Sequence, residues 1–413
     1  MFGSFYAIVT LLFPDSLPFS YSCFLCPLSF LYFLHICMPR SFPMIQNPGK
    51  FTLQGTNTYL IGSSRPFVLF DVGEGEHGYI PLLESAILMN EESGSQAVSL
   101  HGALKKATNP FVSDIIISHR HHDHHGGLPS VLTLLHRLWT ASTDGGAEYT
   151  PPRVHKFPLP PQPSPTLPGV SSAEREGSTF ESTLEAVSRL SPAIFEHNSL
   201  AAEGVWPIIH SLHDKQTFHL SSHSPKSTLT VVHTPGHTVD SVCLCLSGES
   251  TDGPPVIFTA DTVLGEGTAV FEELGVYLGS LKNLSILASG LLLRPGLASN
   301  EVTLYPGHGP ILTNGLETFT TYIAHRNERE AQILALIPQR SDEQKGISIS
   351  EIVKSLYSSY PPSIWPAAER GVWLHLQKLR DEGKVSSIGR ELGYADEKEI
   401  AGNFQGTGSW VRS

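Results

Sequence analysis

Ile115-Ile116-Ile117-Ser118-His119-Arg120-His121-His122-Asp123-His124-His125-Gly126-Gly127 is the stretch that decides the reading of this chain. Its apolar, β-branched start reads as a buried strand, which stops abruptly at a cluster of imidazoles and one carboxylate. Two glycines then let the backbone turn tightly before Leu128 to Trp139, an apolar segment suited to a helix. Inside the tract lies His-x-His-x-Asp-His, supplied by His119, His121, Asp123 and His124. In a loop at a strand end, these side chains can converge from one side, as a divalent metal requires. Imidazole nitrogen with some carboxylate oxygen and no thiolate suits zinc, ahead of manganese or iron. The bland alternative is a His-rich surface tract or a set of hydrogen-bonded core histidines.

Three later strand ends argue against that alternative. Leu229 to His233 runs into Thr234-Pro235-Gly236-His237-Thr238, and Val256 to Ala260 delivers Asp261. Val302 to Tyr305, followed by Pro306-Gly307, presents His308. With the first tract, four strand ends bring metal-ligand types to what can be one rim. Upstream, Thr56 to Gly62 and Phe67 to Phe70 read as two strands joined through Ser63-Ser64-Arg65-Pro66, the second ending at Asp71. Capping the following Gly turn is the ordinary role for Asp71. Its functional role would be to orient a metal ligand from behind.

At 413 residues, 40% hydrophobic and 16% charged, the chain suits one large domain plus a small one. A net charge of −12 gives no basic footprint for DNA, and lowers the expectation of nucleic acid generally without excluding it. Five cysteines make no disulfide framework, and Cys23-x-x-Cys26 lacks a second pair. A reducing compartment is expected, cytoplasmic or mitochondrial.

Residues 1 to 46 differ from the rest: Tyr21 to Met38 is uncharged except for His35, dense in Phe, Leu, Ser and Cys, and interrupted by Pro27. This run is marginal as a membrane helix, and it has the charge pattern of neither a secretory signal nor a mitochondrial presequence. Translated non-coding sequence is the first reading and a membrane anchor the second. Residues 78 to 107 read as mainly helical. Pro151 to Pro168 is too proline-rich for helix or central strand, so residues 141 to 228 read as holding an extended surface insertion. From about residue 341 a second unit begins. Ser348 with Glu351 resembles a capping box, and Ile349, Ile352, Val353 and Leu356 have helical spacing. A further helix follows Pro361-Pro362, with Ala368, Val372, Leu376 and Leu379 on one face and its end near Gly383.

His-x-His-x-Asp-His, then His after Pro-Gly, then a lone Asp, then Gly-His resembles the metallo-β-lactamase superfamily. Asn47 to Tyr59, Asp261 to Thr268, Tyr305 to Pro310 and Tyr322 to Asn327 narrow the resemblance to the β-lactamase-like protein 2 family. The likeness covers about residues 47 to 390. It implies an αββα sandwich over residues 47 to 340 and a small winged-helix-like domain over 341 to 413. It also implies two zinc ions: His119, His121 and His237 on one, Asp123, His124 and His308 on the other, and Asp261 bridging. The strand that normally precedes Asn47 is replaced by Ser41 to Gln46, which leaves one sheet edge in question.

Such a site implies a hydrolase in which two ions about 3.5–4 Å apart lower the pKa of a shared water to about 7. Asp123 would be both ligand and catalytic residue, orienting the nucleophile or moving its proton. The family implies an endoribonuclease on single-stranded RNA, with hydrolysis of carrier-protein acyl thioesters as the alternative. A glutathione thioester or a β-lactam ranks below both, and a non-catalytic metal-binding scaffold is the reading from a different class. Lys282, His325 and Arg326 are the candidate phosphate contacts. Their ordinary alternatives are a solvated helix charge for Lys282 and a tie between the last helix and the core for the other two.

Overall fold

Phe67-Val68-Leu69-Phe70 and Ile115-Ile116-Ile117 carry no polar face, as expected of strands covered on both sides. The computed structural model shows why. It describes residues 55–62, 65–92, 109–142, 148–159, 179–198, 206–220, 227–248, 254–293, 301–340, 346–388 and 408–413. It also describes three upstream strands, β1 (Ile8–Val9), β2 (Cys23–Phe24) and β3 (Tyr32–Met38).

The first sheet holds β3, β4 (Thr56–Gly62), β5 (Phe67–Phe70), β6 (Val112–Ile117), β7 (Arg153–Lys156) and a more distant β10 (Ile209–Ser211), side by side in that order. Strands β3, β4 and β5 pair antiparallel, and β5, β6, β7 and β10 run parallel. Between β7 and β10 lies a small antiparallel pair, β8 (His197–Asn198) with β9 (Trp206–Pro207). The second sheet holds β11 (Thr217–His219), β12 (Thr228–His233), β13 (Val242–Ser247), β14 (Val256–Ala260) and β15 (Thr303–Pro306), with only the last pair parallel.

Side-chain alternation assembles three layers of core from these strands. Tyr59, Ile61, Val68, Phe70 and Ile116 face inward against Val231, Leu244, Phe258 and Tyr305 of the second sheet. Leu60, Leu69, Ile115 and Ile117 face outward under α1 (Tyr79–Glu92), α3 (Leu128–Ser142) and α4 (Phe180–Ser188). On the other flank Cys243, Cys245, Ile257 and Leu304 lie under α5 (Leu274–Leu292) and α6 (Gly315–Leu336). The result is the αββα sandwich.

Beyond α6, a three-stranded sheet of β16 (Ile347–Ser348), β18 (Ser409–Arg412) and β17 (Val385–Ile388) packs with α7 (Ile349–Leu356) and α8 (Trp365–Asp381). The expected capping box is present: the Ser348 hydroxyl accepts from the Glu351 N–H, and the Glu351 carboxylate accepts from the Ser348 N–H. Ile352, Val353, Val372, Leu376 and Leu379 form a core that takes in Ile333 and Ile337 from the end of α6. The winged helix is thereby continuous with the catalytic sandwich.

Three sequence expectations change. Arg153-Val154-His155-Lys156 is a strand inside the proline-dense stretch, because Pro152 and Pro158 bracket four residues whose backbone N–H groups are all free to pair. Helix α4 and strands β10 and β11 likewise place parts of residues 141 to 228 in the fold. The remaining proline-rich residues, 160–178, lie outside the described residues. The edge beside β4 is occupied: β3 pairs along its full length, His35 opposite Tyr59, so part of the supposed anchor run is strand. Its Tyr, Phe and Ile suit a strand, and Pro27 lies upstream of it. Among the described residues, no helix is long and apolar enough to cross a membrane. Helix α1 ends at Glu92, and residues 93–108, also expected to be mainly helical, lie outside the described ones, as do Cys26 and the segment 47–54.

Candidate metal centre

Strand β6 ends at Ile117, and after four intervening residues the chain enters α2 (His122–His125), a single helical turn. This throws His119 and His121 to one side and Asp123 and His124 beside them. The turn is held against the loop after β5, where the Val72 N–H donates to the His124 carbonyl at 3.0 Å and the Gly127 N–H to the Gly73 carbonyl at 2.9 Å. A Cβ on Gly127 would sit 2.1 Å from the Val72 carbonyl oxygen, so only glycine permits that approach. Gly307 does the same next to His308, where a Cβ would come within 2.3 Å of Asp261 Oδ1.

All seven expected ligands meet. His119, His121, His237 and Asp261 form one group of donor atoms and Asp123, His124 and His308 another, each group with its atoms within 4.8 Å of one another. His119 Nε2, His121 Nδ1 and His237 Nε2 face each other at 3.0 to 3.2 Å. Asp261 reaches both groups, with Oδ2 3.6 Å from His237 Nε2 and 3.2 Å from His308 Nε2, and Oδ1 3.4 Å from His124 Nε2.

Behind the donors, four of the five rings, those of His119, His124, His237 and His308, have a partner that fixes their orientation. His237 Nδ1 donates to the Val270 carbonyl at 2.7 Å, and His308 Nδ1 to the Gly55 carbonyl at 2.7 Å. Asp71 is buried, takes a left-handed backbone at φ 61°, and accepts from His124 Nδ1 at 2.8 Å. It also accepts from the Ser118 N–H and hydroxyl, and that hydroxyl in turn receives His119 Nδ1 at 2.9 Å. Asp71 thereby contacts His124 directly and His119 through the Ser118 hydroxyl. With protons on these rear nitrogens, the Nε2 lone pairs of His119, His124, His237 and His308 point at the site.

The electrostatics describe a site shaped for cations. Burial and the neighbouring imidazoles hold His119 well below its usual pKa, and His121 is pushed down to about 3 for the same reasons. His237 is also lowered, first by burial. The other group behaves oppositely. Burial works against charge on His124 and His308, yet the carboxylates around them raise His124 well above its usual value and His308 to about 10. Burial opposes ionisation of Asp123 and Asp261 too, and the facing imidazoles hold both far below the usual carboxylate range. His124 Nε2 and Asp261 Oδ1 are buried with no hydrogen-bond partner. Bare nitrogens facing one another, carboxylates between them and two orphaned buried atoms fit a pair of divalent cations.

His122 and His125 belong to neither donor group. His125 is buried between the Thr183 hydroxyl at 2.9 Å and the Arg120 carbonyl at 3.0 Å. Of the candidate phosphate contacts, Lys282 lies on the exposed side of α5 and His325 on the exposed side of α6. Arg326 is a tie: Nη2 donates to the Ala269 carbonyl at 2.8 Å and the guanidinium lies 4.8 Å from the centre of the Phe271 ring. It steadies the loop whose next residue, Val270, orients His237.

Residue-level reading of the sequence missed the clasp on His308. Asn57 Nδ2 donates to the Pro306 and Gly309 carbonyls at 2.9 Å each, its N–H to Gly307 at 2.7 Å, and the Tyr59 hydroxyl to Pro306 at 2.6 Å. Thr56 donates to Asp123 Oδ2 at 2.9 Å. The partners around His308 lie some 250 positions from residues 55–59 in the chain, and Asp123 lies 67 from Thr56; family resemblance was the only signal that marked these contacts.

Residues 348–393 match the β-lactamase associated winged helix domain. A β-lactamase-like protein 2 homolog of Drosophila melanogaster is 30% identical over 339 residues, covering 82% of this chain and 87% of that one. An atrochrysone carboxyl ACP thioesterase of Passalora fulva is 26% identical over 347 residues, covering 82% and 75%. The crystal structure of a β-lactamase domain protein from Burkholderia ambifaria shares the fold with a TM-score of 0.52 and 15% identity, over 93% of this chain and 92% of that one. With the sandwich, the seven donors and the winged helix all in place, the chain belongs to the metallo-β-lactamase superfamily of hydrolases, in the family of the β-lactamase-like protein 2 homologues.

Proposed function

We propose that the protein is a binuclear zinc hydrolase that cleaves single-stranded RNA. The observation that carries the hydrolytic reading is the meeting of two donor groups at Asp261. For the substrate, the support is the extent of similarity to the β-lactamase-like protein 2 homologues. When bound, two ions supply Lewis acidity toward water and toward the scissile group. The chain's own residues supply the rest. Asp123 Oδ2 accepts from Thr56 and lies 3.2 Å from His308 Nε2, so it is held where it can orient a nucleophile or carry its proton. Asp71, Gly55 and Val270 keep the imidazoles aimed, so little reorganisation is needed when charge develops. Lys282 and His325, both exposed on their helices, are the candidate outer contacts for the RNA backbone.

A second reading has its own observation. Val239 and Val270 lie two and thirty-three positions after His237 and are 37% and 65% exposed. Apolar side chains around the His237 ligand favour an acyl group, and the Passalora fulva relative is named as a thioesterase. Hydrolysis of a single-stranded RNA and of an acyl thioester, each with and without chelator, separates the two. RNA cleavage abolished by chelator and restored by zinc is the expected result. Rapid thioester hydrolysis without RNA cleavage would replace the first reading with the second.

A further inference from the structure

Among the described residues, three cations lie on or against the loops that carry the metal ligands, and the structure sorts them by availability. Lys156 is sealed, its side chain 5% exposed against an Asp240 carboxylate that is 0% exposed. Arg326 is spent on the Ala269 carbonyl and the face of Phe271. Arg120 is different. It sits between the ligands His119 and His121, its carbonyl is anchored by His125 Nε2, and its side chain remains 26% exposed. Its partner is Glu272, 28% exposed, on the loop whose Val270 carbonyl orients His237. The contact joins one nitrogen, Nη2, to one oxygen, Oε1. By contrast, Arg137 grips Glu84 with two nitrogens on two oxygens, at 3.0 and 2.8 Å.

From this arrangement we infer that Arg120 is the substrate's phosphate anchor, and that Glu272 occupies it until a phosphodiester of single-stranded RNA displaces the carboxylate. The inference rests on the RNA reading above. A guanidinium matches a phosphate with two parallel N–H donors, which a single-point carboxylate contact leaves partly unused. With side chains 26% and 28% exposed, the pair is open to solvent on one side, and exchanging one anion for another keeps the guanidinium paired throughout. The position is apt, because the guanidinium meets Glu272, whose N–H donates to the carbonyl of Gly236 beside the ligand His237. Glu272 then acts as a specificity element: its charge repels anions that cannot offer a phosphate to Arg120.

Opposite signs from the two partners are the test. Arg120→Gln raises KM for a single-stranded oligouridylate about tenfold, leaves kcat within about twofold, and lowers the salt dependence of binding by about one phosphate contact. Arg120→Lys recovers part of the loss. Glu272→Gln lowers KM, since Arg120 loses its competitor. Dissociation constants for a fluorescent phosphorothioate oligouridylate follow the same order, with zinc content unchanged in all three variants. If Arg120→Gln and Glu272→Gln weaken binding alike, or both shed zinc, the pair is a latch for the His237 loop and the proposal is overturned. Wild-type protein that cuts RNA with a KM indifferent to Arg120 overturns the proposal alone. Wild-type protein that neither binds nor cuts RNA overturns both the proposal and the reading beneath it.

Discussion

The metal end of the sandwich and the junction between α6 and α8 are both built from clustered charge, buried at the first and half-buried at the second, and they are finished in different ways. At the junction, Lys378 Nζ donates to both oxygens of Glu330 at 3.0 and 2.8 Å, with Glu382 and Lys384 extending the network. Each charge there has an opposite within the protein. At the metal end, three imidazole nitrogens face one another at 3.0 to 3.2 Å, and His124 Nε2 and Asp261 Oδ1 have no hydrogen-bond partner. Protein groups complete the first; cations must complete the second. A buried polar atom without a partner costs roughly 1–3 kcal/mol, so the metal end holds cost that ligand binding relieves.

The largest effect expected from breaking this contrast, short of removing a ligand itself, comes from Asp71. It touches no donor atom on the metal side, yet it holds His124 directly and His119 through Ser118. Asp71→Asn should cost about 10–100-fold in metal affinity, the usual range for a partner of a metal-bound histidine. Competition with a chromogenic chelator measures it, and an affinity within twofold of wild type would show that the histidines aim themselves.

A smaller effect is expected at the junction. Burial works to raise the Glu330 carboxyl, but His375 and Lys378 beside it hold it down at about 2, against an ordinary value of 4.5. His375 Nδ1 stands 3.8 Å away, too far for a hydrogen bond, so Lys378 is the effective partner. A depressed carboxyl contributes stability above its unfolded pKa and loses it as pH falls through the folded one. Glu330→Gln should therefore cost about 1 kcal/mol at neutral pH, shrinking between pH 4.5 and about 2. Denaturant unfolding across that range checks the slope; a difference independent of pH would remove Glu330 from the account. Metal content should not change.

The contrast also explains what the chain revealed in advance. All seven donors were legible, because each is a His or Asp in the turn that follows an apolar β-branched run, and strand ends in such sheets deliver side chains to one rim. The capping box at Ser348 and the apolar face of α8 were legible for the same local reason. Asp71 was legible only as an alternative to a turn cap, since the contact that decides between them is with His124, 53 positions away. Strand β7 was hidden by the prolines around four permissive residues, and β3 by a composition that also suits an anchor. Arg120 and Glu272, 152 positions apart, carry no local pattern at all.

The central claim is that seven side chains from four strand ends form one two-cation site joined by Asp261. Elemental analysis of the purified protein tests it most directly. Two zinc equivalents per chain are expected for wild type, with Asp261→Ala losing about one and binding the other more weakly. His122→Ala and His125→Ala should retain both. A protein without bound metal, or one holding a single equivalent indifferent to Asp261, would contradict the account.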